Sequence, residues 1–305
     1  MSSPLTLRAA TRRSPLAIWQ AEHVAALLRA AHPGLAVELV GLDTEGDQRL
    51  DVAISAIGGK GVFAKEIQQA VLDGRADFAV HSAKDLPAVT IEGLVLASVP
   101  ERGTAHDALV GATLDGLAPG ATVATGSQRR RAQLARLRPD LRFVELRGNM
   151  ATRLGKVPDG GAIVVAAVAL ERLGLADQVA QVLTVDQMVP QVGQGALAIE
   201  CRADDTAATT LLGAIQHQPS RHRVDAERAF LLELGGDCDL PAGAHAHLPG
   251  VQDEGVLVVD AFLADSGEPG AAAVHHTASG DDPRALGTAV ARHLRSALTE
   301  RVGPR

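Results

Sequence analysis

The sequence predicts an α/β protein made of two lobes, followed by a smaller C-terminal α+β domain. Three observations carry this expectation. Strand-like and helical segments alternate from about residue 5 to residue 100, the alternation restarts near residue 105, and the last third turns instead to short strands and one amphipathic helix. Repeated strand–helix alternation implies βαβ units and largely parallel sheets covered on both faces.

In chain order, "LTLRAA" reads as a strand, "SPLAIWQAEHVAALLRAAHPG" as a helix and "LAVELVGL" as a second strand. Ser14 can cap that helix, Pro15 suits its first position, and Pro33-Gly34 closes it. After the loop "DTEGDQRLDVAISAIGGKG" come a helical "VFAKEIQQAVLDG" and the strands "ADFAVHS" and "LVLASVP". The second round has the strands "DALVG" and "ATVAT", the helix "SQRRRAQLARLR", the strand "LRFVEL", the helix "ATRLGKV", and "GAIVVAAVAL", a buried strand running into a helix. In the last third, "RVDAERAFLLELGG" reads as a helix and "AHAHL", "VLVVDAFLA" and "AAVHHTAS" as strands. Leu286, Val290, Leu294 and Leu298 mark one face of a final helix.

Composition narrows the function classes. With 305 residues, 46% of them apolar and 21% charged, the chain has the balance of a globular protein. The N-terminus lacks the apolar core of a secretion signal, and no apolar run approaches the ~18 residues of a spanning helix, so a cytoplasmic location is expected. Two cysteines, Cys201 and Cys238, argue against a disulfide scaffold. A net charge of −7 disfavours a general nucleic-acid binder. All but four of the 29 basic side chains (Lys60, Lys65, Lys84 and Lys156) are arginine. "GGKG" lacks the spacing of a phosphate-binding loop and "VGQGA" is too short for a dinucleotide fingerprint. The pairs His245/His247 and His275/His276 have no carboxylate or thiolate at ligand spacing, so no metal site is expected.

What remains is a set of polar residues at strand ends, where open α/β sheets place their ligands. Arg12 and Ser14 follow the first strand; Ser82, Lys84 and Asp85 follow "ADFAV"; Thr125, Ser127, Arg129 and Arg130 follow "ATVA"; Arg147 follows "LRFVEL". Guanidinium forks in this number suit a ligand with several carboxylates.

The segments "ATRRSPLAIWQA", "GGKGVFAKE", "HSAKDLP", "TGSQRRRAQL", "LRGNMATRL" and "VGQGALAIECR", with the cysteine turn "GGDCDLP", resemble the porphobilinogen deaminase (hydroxymethylbilane synthase) family in order and spacing. The resemblance runs from about residue 5 to about residue 300. It implies a monomer of three domains: 1–99 completed by a returning 195–217, then 100–194, then 218–305, the first two resembling a two-lobed solute-binding protein. It implies a transferase of porphyrin and haem biosynthesis, in which four porphobilinogen molecules join head to tail with loss of four ammonias, giving hydroxymethylbilane. It also implies a covalent dipyrromethane cofactor, tethered by a thioether to Cys238, that primes the chain and is not consumed. No nucleic-acid or membrane partner is implied.

The resemblance also assigns roles. Asp85 matches the family's catalytic aspartate; without the family, it reads equally as a helix cap or a salt-bridge partner of Lys84. Departure of ammonia leaves a cationic azafulvenium, and a carboxylate about 4 Å away contributes about 4 kcal/mol at an effective dielectric of about 20. Ser82, Lys84, Thr125, Ser127, Arg129 and Arg130 are implied at the cofactor, with Asp85. Arg12, Ser14, Lys60, Arg147, Arg153 and Arg172 are implied at the substrate's acetate and propionate groups, and Gln20 and Gln194 are weaker candidates. Phe63 matches a family aromatic that can lie over a pyrrole ring and reads equally as a core residue. Gly126, Ala56, Asp237 and Asp239 depart from the common family pattern. Flanking aspartates disfavour a thiolate at Cys238, which suits a tether formed once better than a nucleophile used at every turnover. Two other classes stand beside this reading: a noncatalytic two-lobed binding module for a small carboxylate, and a cysteine-nucleophile hydrolase or transferase, which would need a histidine such as His222 or His245 near Cys238.

Overall fold

A computed structural model describes residues 5–44, 64–235, 240–248 and 255–302. The chain divides into two compact units, Met1–Gly103 with Ala196–His222, and Thr104–Gly195 with Arg223–Arg305. The first opens with β1 (Thr6–Arg12), α1 (Pro15–Ala31), β2 (Ala36–Leu42), α2 (Lys65–Leu72), β3 (Phe78–Ser82) and β4 (Leu94–Ser98). Ser14 caps α1 by accepting the Ala17 N–H at 3.4 Å, and Pro15 stands in the first turn, where a missing N–H has no intrahelical partner to lose.

The second unit contributes β5 (Asp107–Val110), β6 (Thr122–Ala124), α3 (Gln128–Leu137), β7 (Arg142–Val144), α4 (Met150–Leu154), β8 (Ala162–Ala166), α5 (Ala167–Arg172) and β9 (Gln181–Val182). The chain then returns to the first unit as β10 (Leu197–Arg202) and α6 (Thr206–Gly213). The boundary at His222 falls inside α7 (Gln218–Glu233), after which β11 (Ala242–His247), β12 (Leu257–Ala264), β13 (Ala273–Gly280) and α8 (Pro283–Val302) complete the second unit.

The two larger sheets share one plan. The first has the order β2-β1-β3-β10-β4 and the second β7-β6-β8-β5-β9. In each, three parallel strands are followed by a reversed strand and an edge strand. The reversed strand, β10 or β5, is the one whose chain has just come from the other unit. Helices bury both sheet faces: Leu7, Val24, Leu28, Phe78 and Ile199 form one core of the first unit, and Ile67, Val71, Ala79 and Leu94 another. The third sheet is the antiparallel meander β11-β12-β13, and α8 packs on it.

The mixed α/β class with two sheet-rich lobes and a smaller C-terminal domain is therefore as the sequence predicts, while several bounds differ. β1 runs on to Arg12, α4 stops at Leu154, and α7 starts at Gln218 ahead of the predicted "RVDAERAFLLELGG". Periodicity left residues 171–222 without elements, yet β9, β10 and α6 lie there. All of β10 but its last residue is buried, so no polar face alternates along it, and α6 is short with a weak apolar stripe.

Gly287 brings α8 against α7, where a Cβ would collide with the Ala226 carbonyl oxygen and come within 3.0 Å of the Phe230 nitrogen. Gly287→Ala should therefore lower unfolding stability by about 1–3 kcal/mol, read as a lower urea midpoint at unchanged m-value. Gly213→Ala, with nothing within 4 Å of the added carbon, is the control that should leave the midpoint in place or raise it slightly.

Candidate functional site

Each unit presents one polar sheet edge. In the first, β1 and β3 lie side by side in parallel with Ala10 opposite Ala79, so both run out at the same edge. Arg12 ends β1, and Ser14 begins the following helix. Gln20, buried on α1, donates its amide to the Ser82 hydroxyl at 2.9 Å. Beyond Ser82, residues Ala83–Asp85 form a single 3-10 turn, anchored by Ala83 N–H to the Ala196 carbonyl at 3.0 Å. The turn brings Lys84 and Asp85 to this edge. The half-buried Asp85 makes no hydrogen bond or ion pair among the described residues, so it is neither a helix cap nor the salt-bridge partner of Lys84.

In the second unit, β6, β7 and β8 run parallel, with Ala124 opposite both Val144 and Ile163. Thr125 is held by its N–H to the Val144 carbonyl at 2.9 Å, and its hydroxyl accepts the Ser127 N–H at 3.2 Å. Ser127 caps α3 by accepting the Arg130 N–H at 3.4 Å, leaving the N–H groups of the preceding first-turn residues at the edge. At Gly126 a Cβ would make tight contacts, 3.1 Å from Glu145 Oε2 and 3.2 Å from the Leu146 carbonyl. Arg147 follows β7, and its guanidinium makes no hydrogen bond or ion pair among the described residues. Gly148, at φ +116°, allows the turn that lets Asn149 cap α4 by accepting the Thr152 N–H at 3.0 Å. Arg153 Nε donates back to the Gly148 carbonyl at 2.8 Å.

Arg172, at the end of α5, donates to the Gly195 carbonyl at 2.7 Å, and burial pulls its guanidinium down to about 10. Gln194 is buried and donates to the Ala105 carbonyl at 2.6 Å and to Asp107 Oδ1 at 2.9 Å. These two residues thus support the loop before β10.

Arg129 and Arg130 turn inward from the same helix start, with 3% and 7% exposure. Arg129 donates to Asp107 Oδ2 at 2.8 Å and to the Val189 carbonyl at 2.6 Å. Arg130 grips Asp107 Oδ1 through Nε at 3.0 Å and Nη2 at 2.7 Å and reaches the Val164 carbonyl at 2.9 Å. Burial alone would raise the Asp107 carboxyl, but the two guanidiniums and the Gln194 amide hold it well below the usual carboxylate range. Two positive groups against one negative leave a surplus positive charge beneath the α3 N-terminus.

The third sheet docks on this cluster. A Cβ at Gly243 of β11 would stand 2.6 Å from the Pro190 carbonyl and 3.0 Å from Arg129 Cδ. Glu227 of α7, fully buried, accepts the Gly193 N–H at 2.7 Å and the Ala246 N–H at 2.8 Å. Sequence reasoning missed Asp107 and Glu227, because nothing local distinguishes a carboxylate that meets partners far along the chain. Lys60, Phe63, Cys238 and the glycine-rich 58–61 lie outside the described residues. Among the described residues, no group of three histidine, cysteine or acidic side chains could hold a metal ion, and no helix is long and apolar enough to cross a membrane.

Comparison with known proteins adds the family. Residues 7–210 match the family model described as "Porphobilinogen deaminase, dipyromethane cofactor binding domain", and residues 222–296 match "Porphobilinogen deaminase, C-terminal domain". A porphobilinogen deaminase of Nitratidesulfovibrio vulgaris is 48% identical over 89% of this chain and 86% of its own length. One of Acidithiobacillus ferrooxidans is 45% identical over 95% of each chain. Among solved structures, the methionine binding protein MetQ aligns at 15% identity with a TM-score of 0.44, over 76% of this chain and 97% of that one.

Asp107→Asn leaves two buried guanidiniums without a counter-charge and should cost about 3–5 kcal/mol of stability at neutral pH. The folded Asp107 carboxyl titrates below the unfolded one, at about 3.9, so its contribution is complete above that value and is lost as pH falls toward the folded one. Urea unfolding between about pH 5 and pH 2 should therefore weaken the parent chain more steeply than the variant.

Proposed function

The chain belongs to the porphobilinogen deaminase family, and from that premise we propose the roles of its residues. It is a transferase that joins four porphobilinogen molecules head to tail and takes up one water, giving hydroxymethylbilane with release of four ammonias, and its cofactor is a dipyrromethane. The family membership does not favour the noncatalytic binding module. The proposed organisation is a monomeric cytoplasmic enzyme of three domains, 1–99 with 195–217, 100–194 and 218–305, without nucleic-acid or membrane partners.

When bound, the dipyrromethane supplies a free pyrrole α-carbon as the nucleophile, and it carries acetate and propionate groups that need cations and N–H donors. The residues fit such a group: the α3 N-terminus offers N–H donors over a surplus positive charge, and the Arg147 guanidinium has no partner among the described residues. In our reading Cys238 holds the group by a thioether. Thr125, Ser127 and Lys84 bind its carboxylates, and Ser82, whose oxygen already accepts from Gln20, directs its own proton to another. Arg129 and Arg130 act here through the charge they fix beneath the helix start. Arg12, Ser14, Lys60, Arg147, Arg153 and Arg172 take the acetates and propionates of the substrate. Gln20 and Gln194 serve by holding Ser82 and Asp107, and Phe63 lies over a pyrrole ring.

Asp85 is the catalytic residue of this proposal, and the observation that carries it is a carboxylate fixed by backbone at a strand end with no partner among the described residues. It accepts the pyrrole N–H, stabilises positive charge as ammonia departs from the substrate, and moves protons during coupling and loss of the α-proton.

Intact mass tests the tether. The purified chain should carry an excess equal to two porphobilinogen-derived pyrroles, and Cys238→Ser should lose it. An active protein of unmodified mass would overturn the tether. Asp85→Asn should keep the excess while turnover falls by about 10²-fold or more; substantial remaining activity would remove Asp85 from the catalytic role.

A further inference from the structure

We propose that His81 is a positioning residue for Asp85, acting through a buried contact with Glu200; this rests on the reading of Asp85 as the catalytic carboxylate. Phe78 and Val80 of β3, with Leu197 and Ile199 of β10, enter the core that packs against α1. Strand alternation therefore turns Ala79, His81, Ala198 and Glu200 to the opposite face, where Ile67, Ala70 and Val71 of α2 pack. On that face His81 Nε2 stands 3.3 Å from Glu200 Oε2, close but without hydrogen-bond geometry, with side-chain exposures of 4% and 2%. Gln68 of α2 donates to the same Glu200 oxygen at 2.7 Å.

Two further observations set this cluster apart from ordinary packing. The β10 ladder with β4 shifts register between Ile199 and Glu200, and such irregularities re-aim a side chain. Hydrophobic residues of similar volume would stabilise this layer at least as well as a buried carboxylate does, so fold stability alone does not call for one. Its location supplies a use. His81 lies four residues before Asp85 on the strand that ends in the Ala83–Asp85 turn. The backbone of that turn is held by Ala83 N–H to Ala196 and Leu86 N–H to Ala83, and the Asp85 carboxylate has no hydrogen bond or ion pair of its own among the described residues. The placement of Asp85 therefore depends on how β3 lies against β10. His81 and Glu200 link those two strands diagonally, just below the turn, where Ala198 is the direct partner of His81.

Steady-state kinetics of the full-length chain with its attached cofactor tests this. His81→Leu should lower kcat by about tenfold with KM within about twofold, while the cofactor mass excess remains. His81→Gln, which keeps a polar N–H within reach of Glu200, should recover most of that loss. Glu200→Gln should lower kcat in the same way, and joining it to His81→Leu should add little to either alone. A role in bracing the fold alone would lower Tm and leave kcat of the folded protein unchanged. The proposal is overturned if folded His81→Leu keeps kcat within about twofold of the parent, if the loss falls on KM, or if the two losses multiply. Should His81→Leu fail to fold, the kcat of Glu200→Gln decides alone. A parent chain with no deaminase turnover would overturn the functional reading itself, which separates the two failures.

Discussion

The buried cluster of Asp107 with Arg129 and Arg130 is the constraint on which the second unit depends. A carboxylate with no exposed surface is tolerable only when its charge and lone pairs are met inside the protein, and here two guanidiniums and an amide meet them. Satisfying Asp107 fixes the start of α3 against the start of β5. That in turn fixes Ser127 as the cap and aims the first-turn N–H groups at the sheet edge. The remaining donors of the same arginines reach the Val164 and Val189 carbonyls, so β8 and the loop before β10 are tied to the same centre. Gly243 then lets β11 close onto Val189, Pro190 and Arg129, and Glu227 completes the attachment from α7.

The first unit has a different dependence. Its sheet is not finished until the chain has built the second lobe and come back as β10, which lies between β3 and β4. Asp85 follows β3 directly, and the first hydrogen bond of its turn goes to Ala196, the residue before the returning strand. The geometry of a motif read at residues 81–87 is therefore set in part by a segment that begins at residue 196. Both reversed strands, β5 and β10, follow a passage between the units, and each supplies a buried carboxylate, Asp107 or Glu200.

Much of the fold was legible because alternation between strand and helix is a local property. Ser14 and Pro15 announced the start of α1, and the apolar face through Leu286, Val290 and Leu294 announced α8, whose residues at those positions are buried. β10 was not legible by period, since a strand buried on both faces has no alternation to detect. Only the resemblance suggested the return. The site divides along the same line. The strand-end position of Arg12, Ser82, Asp85, Thr125 and Arg147 was legible because it follows from where each local strand pattern stops, and that is where α/β sheets place their ligands.

What held those residues could not be found that way. Arg129 follows a strand and opens a helix, which the motif records, but its described partners lie 22 and 60 residues away in sequence, which the motif does not. Gln194 meets Asp107 across 87 positions, and Gln68 meets Glu200 across 132. A motif records which side chains stand at a strand end; it does not record whether a guanidinium turns toward solvent or toward a buried carboxylate. That choice is made by desolvation. An arginine whose helix turn faces a buried, otherwise unpaired carboxylate binds it, because leaving both charges unmatched in the interior costs more than any contact available at the surface.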